Sequence, residues 1–187
     1  PIVRLPQKNP KNPKKNKPSK IDELQNYYKR QLSSFNDTDR FKEFLSDCSG
    51  SIPLWIIMNK LTFGNLSYFY ECCEDKIKDE VTNFYFVNYS KDYLLRSKNP
   101  LTSDQLMGSI LLMNAFRNRC AHNDVLYNYR APGDNIVLNG CSYFFNSADI
   151  SESAIKKKNI FSLICIMRFF LTKEDYIDLI KEIQSIL

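Results

Sequence analysis

The longest helix-type pattern in the chain runs from Asp104 to Cys120, and it sets the class of fold. Apolar residues recur in it three or four positions apart, as on the buried face of an α-helix. They are Leu106, Ile110, Leu111, Met113 and Phe116. Asn99-Pro100 marks a break before this segment, and Thr102 or Ser103 can cap its first turn. An amphipathic helix of this length buries its apolar face against other helices, so the pattern predicts an all-α bundle.

Capping signals and apolar spacing predict further helices on both sides of this segment. Ser19 with Asp22 has the spacing of a capping box, which predicts a helix to about Leu32. Thr62 can cap a helix that starts at Phe63, and residues 76–87 continue or restart it. The other predicted helices run from Asn36 to before Gly50, from about Ser51 to Leu61, from Ser151 or Ser153 to about Leu171, and from Thr172 to Leu187.

Two further stretches are less regular. Residues 131–135 read Ala-Pro-Gly-Asp-Asn, which predicts a turn, and residues 136–145 predict a short irregular or extended piece. An aromatic stripe at Phe84, Tyr85, Phe86 and Tyr89 can either stack on bases or pack in the core. Helical spacing favours the core for this stripe.

The basic charge of the chain is concentrated at its start. The net charge is +5, yet residues 1–20 contain seven basic and no acidic side chains, so the remainder carries a net charge of about −2. Five of the eight prolines also fall there. We therefore divide the chain into an extended basic tail or linker at residues 1–19 and a helical domain at residues 20–187. The tail can follow RNA phosphates or serve only as a flexible arm, and a first residue other than Met is consistent with a longer protein.

Composition and motifs argue against several classes of protein. The six cysteines form no C-x-x-C pair, and with a single histidine they predict no zinc site; we expect no metal and no cofactor. No glycine-rich phosphate loop, G-x-S-x-G element or set of convergent metal ligands is found. No apolar run is long enough to span a membrane and no signal peptide is visible, so we expect a cytoplasmic protein.

The only histidine follows the long apolar helix. Histidine exchanges protons near neutral pH, and Arg117, five positions before His122, can hold a phosphate by paired charged hydrogen bonds. Helical geometry puts Asn118 on the same face as His122 but Arg117 roughly 140° away. The two charged groups can therefore share a phosphate in one of two ways. Either the helix loosens near Cys120, or the arginine of one subunit meets the histidine of another across a two-fold axis.

A purely structural role is the simplest alternative for this stretch. A lone histidine after a helix often serves as a hydrogen-bonded cap or surface residue. The spacing of Arg117 and His122 alone does not separate this interpretation from a catalytic one.

The surrounding residues add a resemblance to a known family. Residues 111–130, LLMNAFRNRCAHNDVLYNYR, resemble the signature of the Abi-like (AbiD/AbiF) abortive-infection proteins, a branch of the HEPN superfamily of all-helical ribonucleases. The matching positions are Arg117, Asn118, Cys120, Ala121, His122, Leu126, Tyr127 and Asn128. Phe63-Gly64-Asn65-Leu66-Ser67, which follows Pro53-Leu54-Trp55, also resembles an element of the family. Asn123 and Val125 stand where the family has a second histidine and an arginine. The resemblance covers roughly Pro53 to Leu187.

The resemblance implies an HEPN-like helical bundle and a metal-independent endoribonuclease of phage defence or of a toxin system. Arg117, His122 and Asn118 would be catalytic. The expected RNA-binding residues are Arg119, Asn123, Tyr127, Asn128 and Arg130. Expected partners are RNA and a second copy of the chain, with an RNA or protein antitoxin as a further partner and no membrane. The alternatives are a non-catalytic RNA-binding or regulatory module of the same fold, and a structural interaction domain.

Overall fold

The computed structural model describes residues 19–35, 61–93, 100–145 and 150–186. All regular secondary structure in these ranges is helical, which confirms the predicted all-α class. The α-helices are α1 (Lys20–Phe35), α2 (Phe63–Cys72), α3 (Asp75–Tyr93), α4 (Ser103–Ala121), α5 (Glu152–Ile155), α6 (Ile160–Met167) and α7 (Lys173–Ile186), and a 3-10 helix spans Cys141–Phe144. The tail to residue 18 and the helices predicted within residues 36–60 lie outside the described ranges.

The chain divides into two compact units, residues 1–72 and residues 73–187. In the first unit, α1 packs against α2. The capping box at the start of α1 is present, since the Asp22 amide donates to Ser19 Oγ and the Ser19 amide donates to Asp22 Oδ2. Thr62 Oγ1 likewise accepts from the Asn65 amide at the start of α2. The boundary at residue 19 stays a prediction.

Helix α4 is the centre of the second unit. Thr102 caps it with a complete capping box, in which Gln105 is the partner. Leu106, Leu112 and Phe116 are at most 2% exposed. Of the predicted stripe, Leu106 and Phe116 lie on this buried face, whereas Ile110, Leu111 and Met113 are only partly buried. Helix α4 packs against both α3 and α6.

Residues 136–138 lie directly against the backbone of α4. A Cβ atom added to Gly108 would come within 2.1 Å of the Val137 carbonyl oxygen, so only glycine allows this approach. Ile136 and Leu138 are buried, and Gln105 Nε2 donates to the Asn139 carbonyl at 2.7 Å. The predicted irregular piece is therefore a cover over α4 that leads into the 3-10 helix.

The single helix predicted from Ser151 or Ser153 to about Leu171 is wrong, because the chain forms α5 and α6 with a break between them. Helix α5 ends at Ile155, Lys158 then adopts φ 52°, and Asn159 caps α6 by accepting from the Ser162 amide at 3.1 Å. The break lets the Lys158 carbonyl accept from the Ala131 amide, while its Nζ donates to the Gly133 carbonyl. The segment after the histidine motif is thus attached to this break.

The aromatic stripe of α3 serves mainly the core. Tyr89 is 3% exposed, and its hydroxyl donates to the Phe144 carbonyl at 2.6 Å. Its ring packs edge-on against Phe169 at 5.1 Å, and Phe86 contacts Phe144. Phe84 is the exception, since it is 62% exposed. Among the described helices, none has the length and apolar character needed to cross a membrane.

Candidate functional site

The candidate site lies at the C-terminal end of α4. The helix is regular through Ala121, and His122 is its C-cap. The loosening near Cys120 that the sequence left open is therefore not observed. The His122 amide donates to the carbonyls of both Asn118 and Arg119, which tightens only the last turn. On this helix, Arg117 and His122 project roughly 140° apart.

The backbone reverses immediately after His122 in a Schellman motif. The Asn123 amide donates to the Cys120 carbonyl at 3.1 Å, and the Asp124 amide donates to the Arg119 carbonyl at 3.1 Å. Asn123 adopts φ 54°, a left-handed conformation that asparagine tolerates better than most residues. This capping fixes the backbone position of His122. Asn123, expected to bind RNA, is also the residue that makes this turn.

Arg119 attaches the following segment to the helix. Its Nη1 donates to Asp124 Oδ2 at 2.5 Å, and its guanidinium lies 4.6 Å from the ring centre of Tyr129. The Tyr129 ring in turn packs edge-on against the buried Phe116 at 5.0 Å. The hydrogen bond and charge of Asp124 raise the pKa of Arg119 above its ordinary value. The guanidinium expected to bind RNA thus already has two partners within the chain.

Arg117 and Asn118 are exposed on the last full turn of α4. Arg117 Nη1 donates to Asn118 Oδ1 at 3.2 Å. In the part of the chain that the structure describes, Arg117 forms no ion pair, so its charge is available to an incoming anion. Asn118 lies between the two groups of interest, with its side chain bonded to Arg117 and its carbonyl to the His122 amide.

The His122 side chain is exposed at the end of the helix. Within the described residues, no hydrogen bond to its imidazole is found, so neither ring nitrogen is engaged in holding the fold. The structural interpretation is therefore half correct: His122 occupies a cap position, but only through its backbone.

The remaining RNA-binding candidates lie on the loop after the Schellman turn. Tyr127 is 76% exposed, and Asn128 and Arg130 are also exposed. Val125, in the family's arginine position, is 65% exposed. The loop turns at Leu126, whose carbonyl accepts from the Tyr129 amide at 3.0 Å. The structure thus presents a phenol, a carboxamide and a guanidinium on the surface loop that follows the histidine in the chain.

Sequence analysis did not identify Asp124 and Tyr129 as parts of this site. Both position the motif, one through the ion pair to Arg119 and the other through stacking against Phe116 and Arg119. The sequence contained one signal for the contact between Arg119 and Asp124. The two residues have opposite charges and lie on either side of Asn123, a residue type that tolerates the left-handed conformation at which a helix can end. Among the described residues, no group of three or more His, Cys, Asp or Glu side chains is arranged to hold a metal ion.

The chain was compared with known proteins in three ways. A family model described as Abi-like protein matches residues 5–128 of the 187. This match begins well before Pro53, where the sequence resemblance was located, and extends past His122 to Asn128. The search of curated proteins finds no match. The search of solved structures also finds none.

Proposed function

The chain belongs to the Abi-like protein family, and from this premise we propose that it is a metal-independent endoribonuclease of an abortive-infection or toxin system. Membership of the family indicates a role in abortive infection, a defence against phage. The finer assignment to the AbiD/AbiF branch of the HEPN superfamily is part of the proposal, and it depends on residues 117–130. The structural observation that carries the proposal is an exposed imidazole without a partner in the described residues, on a backbone fixed by a helix cap, with the exposed guanidinium of Arg117 on the last turn of the same helix.

The proposed reaction uses the ribose as its own nucleophile. The 2′-oxygen attacks the adjacent phosphorus, the bond from phosphorus to the 5′-oxygen breaks, and the 2′-proton is removed while the leaving 5′-oxygen gains one. His122 exchanges one of these protons as general base or acid. Arg117 stabilises the charge that builds on the phosphoryl oxygens, and Asn118 holds a phosphate oxygen or orients a catalytic group. The products are a 2′,3′-cyclic phosphate and a 5′-hydroxyl.

A homodimer would bring the two proposed catalytic groups, Arg117 and His122, close together. Because α4 is helical through Ala121, Arg117 and His122 of one chain do not point to a common phosphate. A two-fold axis near the ends of two α4 helices would bring Arg117 of each chain towards His122 of the other. The exposure of residues 117–123 leaves this end of the helix free for such an arrangement.

The loop after the turn would contact the RNA on either side of the scissile phosphate. Tyr127 offers an exposed ring for base stacking, Arg130 a phosphate contact, and Asn128 and Asn123 hydrogen-bonding groups. Arg119 has a different place in the proposal, because its ion pair and stacking already stabilise the turn. In this proposal Arg119 contacts RNA only through the face of its guanidinium that does not stack on Tyr129.

The proposal is tested by RNA cleavage and growth arrest in the presence of EDTA. Wild type should cleave RNA, and His122→Ala and Arg117→Ala should each abolish cleavage, because each removes a group used in the transition state. Lys157→Ala, on an exposed lysine outside the motif, is the matched control and should cleave normally. The thermal midpoints of all variants should agree, since the replaced side chains are exposed. A substrate with 2′-deoxyribose at the cleaved position should resist. Cleavage that survives the loss of His122 would contradict the proposal.

A second candidate is a non-catalytic module that binds RNA or regulates another protein. The observation that favours it is Asn123, which occupies the family's histidine position and serves the helix cap by its left-handed backbone. RNA binding by wild type without any cleavage, lost when Tyr127 and Arg130 are replaced, would favour this module. Absence of both binding and cleavage would favour a structural interaction domain. An RNA or protein antitoxin would be a partner of either active form.

A further inference from the structure

An open groove lies in the second unit, away from the histidine motif in sequence. It is formed by the last turn of α3, by Arg168 just after α6, and by α7. Its volume is about 520 Å³. Its charged lining residues are Asp92, Arg168, Lys173 and Lys181. Pockets of about 300–1,000 Å³ accept small organic ligands, so the groove has the size for one nucleotide.

Arg168 brings an unpaired cation to this groove. Its guanidinium lies 4.0 Å from the ring centre of Tyr93 and 5.7 Å from that of Tyr176. In the described residues it forms no ion pair with an acid, and its Nε is buried without a hydrogen-bond partner. Stacking on aromatic rings offsets part of the cost of burying a charge. The buried Nε is out of reach of a ligand in the groove, so an anion there would bind through the outer Nη atoms of the guanidinium.

Tyr93 shows the same deficiency beside Arg168. Its hydroxyl is buried and has no hydrogen-bond partner among the described residues. Buried polar groups of native proteins are almost always hydrogen-bonded. Because this hydroxyl is buried, it does not reach a ligand in the groove, and Tyr93 contributes the face of its ring, which holds the Arg168 guanidinium in place.

The other charges of the groove are mainly positive. Lys173, in the first turn of α7, is exposed and forms no ion pair in the described part of the chain. Lys181 also lines the groove and is bonded to Asp178 at 2.8 Å. Asp92 is the one acid of the lining. Three cations against one carboxylate favour an anionic ligand, and phosphate oxygens suit the fork of Arg168.

The α7 wall of the groove is apolar where it faces the cations. Tyr176, Ile177 and Ile180 lie one helical turn or less apart, and no residue of α7 is buried. Ile177 is 43% exposed. Such a wall can cover the planar face of a base while the cations hold the phosphate. An inorganic anion alone would leave this wall exposed.

We propose that this groove binds a nucleoside monophosphate, with the phosphate at Arg168 and Lys173 and the base against Tyr176 and Ile177. The site does not depend on the ribonuclease proposal, because it shares no residue with the motif at the end of α4. A purely structural interpretation assigns Arg168 only to stacking on the aromatic core. That interpretation does not explain why Arg168 lies together with Lys173 and Lys181 along one open groove.

The test is calorimetric titration of the full chain with the four ribonucleoside 5′-monophosphates at constant ionic strength. Adenosine and inorganic phosphate serve as the separate components. At least one monophosphate should bind about tenfold or more tightly than either component, since base and phosphate contacts are made together. Equal binding by inorganic phosphate would overturn the nucleotide assignment. No binding by any monophosphate would overturn the site.

Variants locate the binding without disturbing the fold. Lys173→Glu should weaken the monophosphate by about tenfold or more, while the thermal midpoint stays unchanged because an acid suits the first turn of a helix. Lys157→Glu makes the same charge change on an exposed lysine outside the groove and should bind as wild type does. Equal weakening by both variants would indicate a general charge effect and would overturn the proposal. The titration does not measure RNA cleavage, so the nucleotide-binding proposal and the ribonuclease proposal can fail separately.

Discussion

The guanidinium of Arg119 and the carboxylate of Asp124 meet at 2.5 Å across the end of the helix that carries His122. In a Schellman motif these two positions commonly make an apolar contact. Here an ion pair takes its place, and Tyr129 covers the other face of the guanidinium. The position of the candidate catalytic histidine therefore depends on a charged contact at the surface.

This relationship separates two roles of Arg119. If the pair mainly holds the turn, Asp124→Ala and Arg119→Ala should both lower the rate of RNA cleavage, because both release the segment after His122. If Arg119 acts only on RNA, Asp124→Ala should leave the rate unchanged or increase RNA affinity by freeing the cation. Cleavage rates and RNA affinities of the two variants decide between these outcomes. Asp134→Ala, on an exposed acid of the following turn, is the control.

Mixing two inactive variants tests the composite dimer site. Arg117→Ala and His122→Ala protomers that exchange subunits form heterodimers with one intact site each. The mixture should then recover about one quarter of wild-type cleavage, since half of the dimers have one of two sites. Each variant alone should remain inactive. No recovery, with subunit exchange shown by mass measurement, would mean that both groups act within one chain.

The left-handed backbone of Asn123 predicts an ordered effect of substitutions on stability. Asn123→Gly should be tolerated, because glycine adopts φ 54° freely. Asn123→Ala should cost roughly 1–2 kcal/mol, the penalty of this conformation for an ordinary residue. In a domain of this size each 1 kcal/mol corresponds to a fall of about 2–4 °C in thermal midpoint. Equal thermal midpoints for Asn123→Gly and Asn123→Ala would argue against a left-handed backbone at Asn123.

The sign of the stability change in Gly108→Ala tests the close approach of residues 136–138 to α4. In an exposed helix this change stabilises by roughly 1 kcal/mol, because alanine has the better helix propensity. Here the new methyl group would meet the Val137 carbonyl, so we expect a loss of about 1–3 kcal/mol. Urea unfolding measures the difference. A stabilised variant would mean that residues 136–138 do not lie against α4 as described.

Glu152 predicts a dependence of stability on pH. Partial burial raises the pKa of its carboxyl, but hydrogen bonds from Ser142, from the Gly140 amide and from Lys156 outweigh burial and lower the pKa. A lowered pKa means that the contribution to stability is present above the ordinary value of about 4.3 and is lost as pH falls through the folded value. The unfolding free energy of wild type should therefore exceed that of Glu152→Gln at about pH 6 and approach it at about pH 3. A constant difference would contradict this role.

Local chemistry predicted much of the helical framework, because caps are made by residues a few positions apart. The capping hydrogen bonds of Ser19, Thr62 and Thr172 were expected from spacing and are present, and of the two caps expected for α4, Thr102 or Ser103, the structure has Thr102. The break between α5 and α6 has one local signal, the cap made by Asn159 and Ser162, which was not recognised in the sequence, and one distant cause. Lys158 is held by Gly133 and Ala131, which lie more than 20 positions earlier and leave no periodic signal.

The same distinction applies to the candidate site. Exposure of His122 at the end of an amphipathic helix follows from the apolar stripe that stops at Phe116. The contact between Arg119 and Asp124 does not, because residues five apart lie on different faces of a helix and meet only when the chain reverses. That reversal depends on the conformation of one residue, Asn123. The sequence-based assignment of Arg119 to RNA binding therefore did not take its ion pair with Asp124 into account.

The placement of Val137 against Gly108 also bears on where an evolutionary unit ends. Similarity to the family stops at Asn128, yet the cover over α4 comes from residues 136–138, beyond that limit. A fragment cut at the family boundary would keep Arg117, Asn118 and His122 but lose Tyr129, Arg130 and the residues that cover α4. The region that matches the family is thus shorter than the region that holds the motif in place.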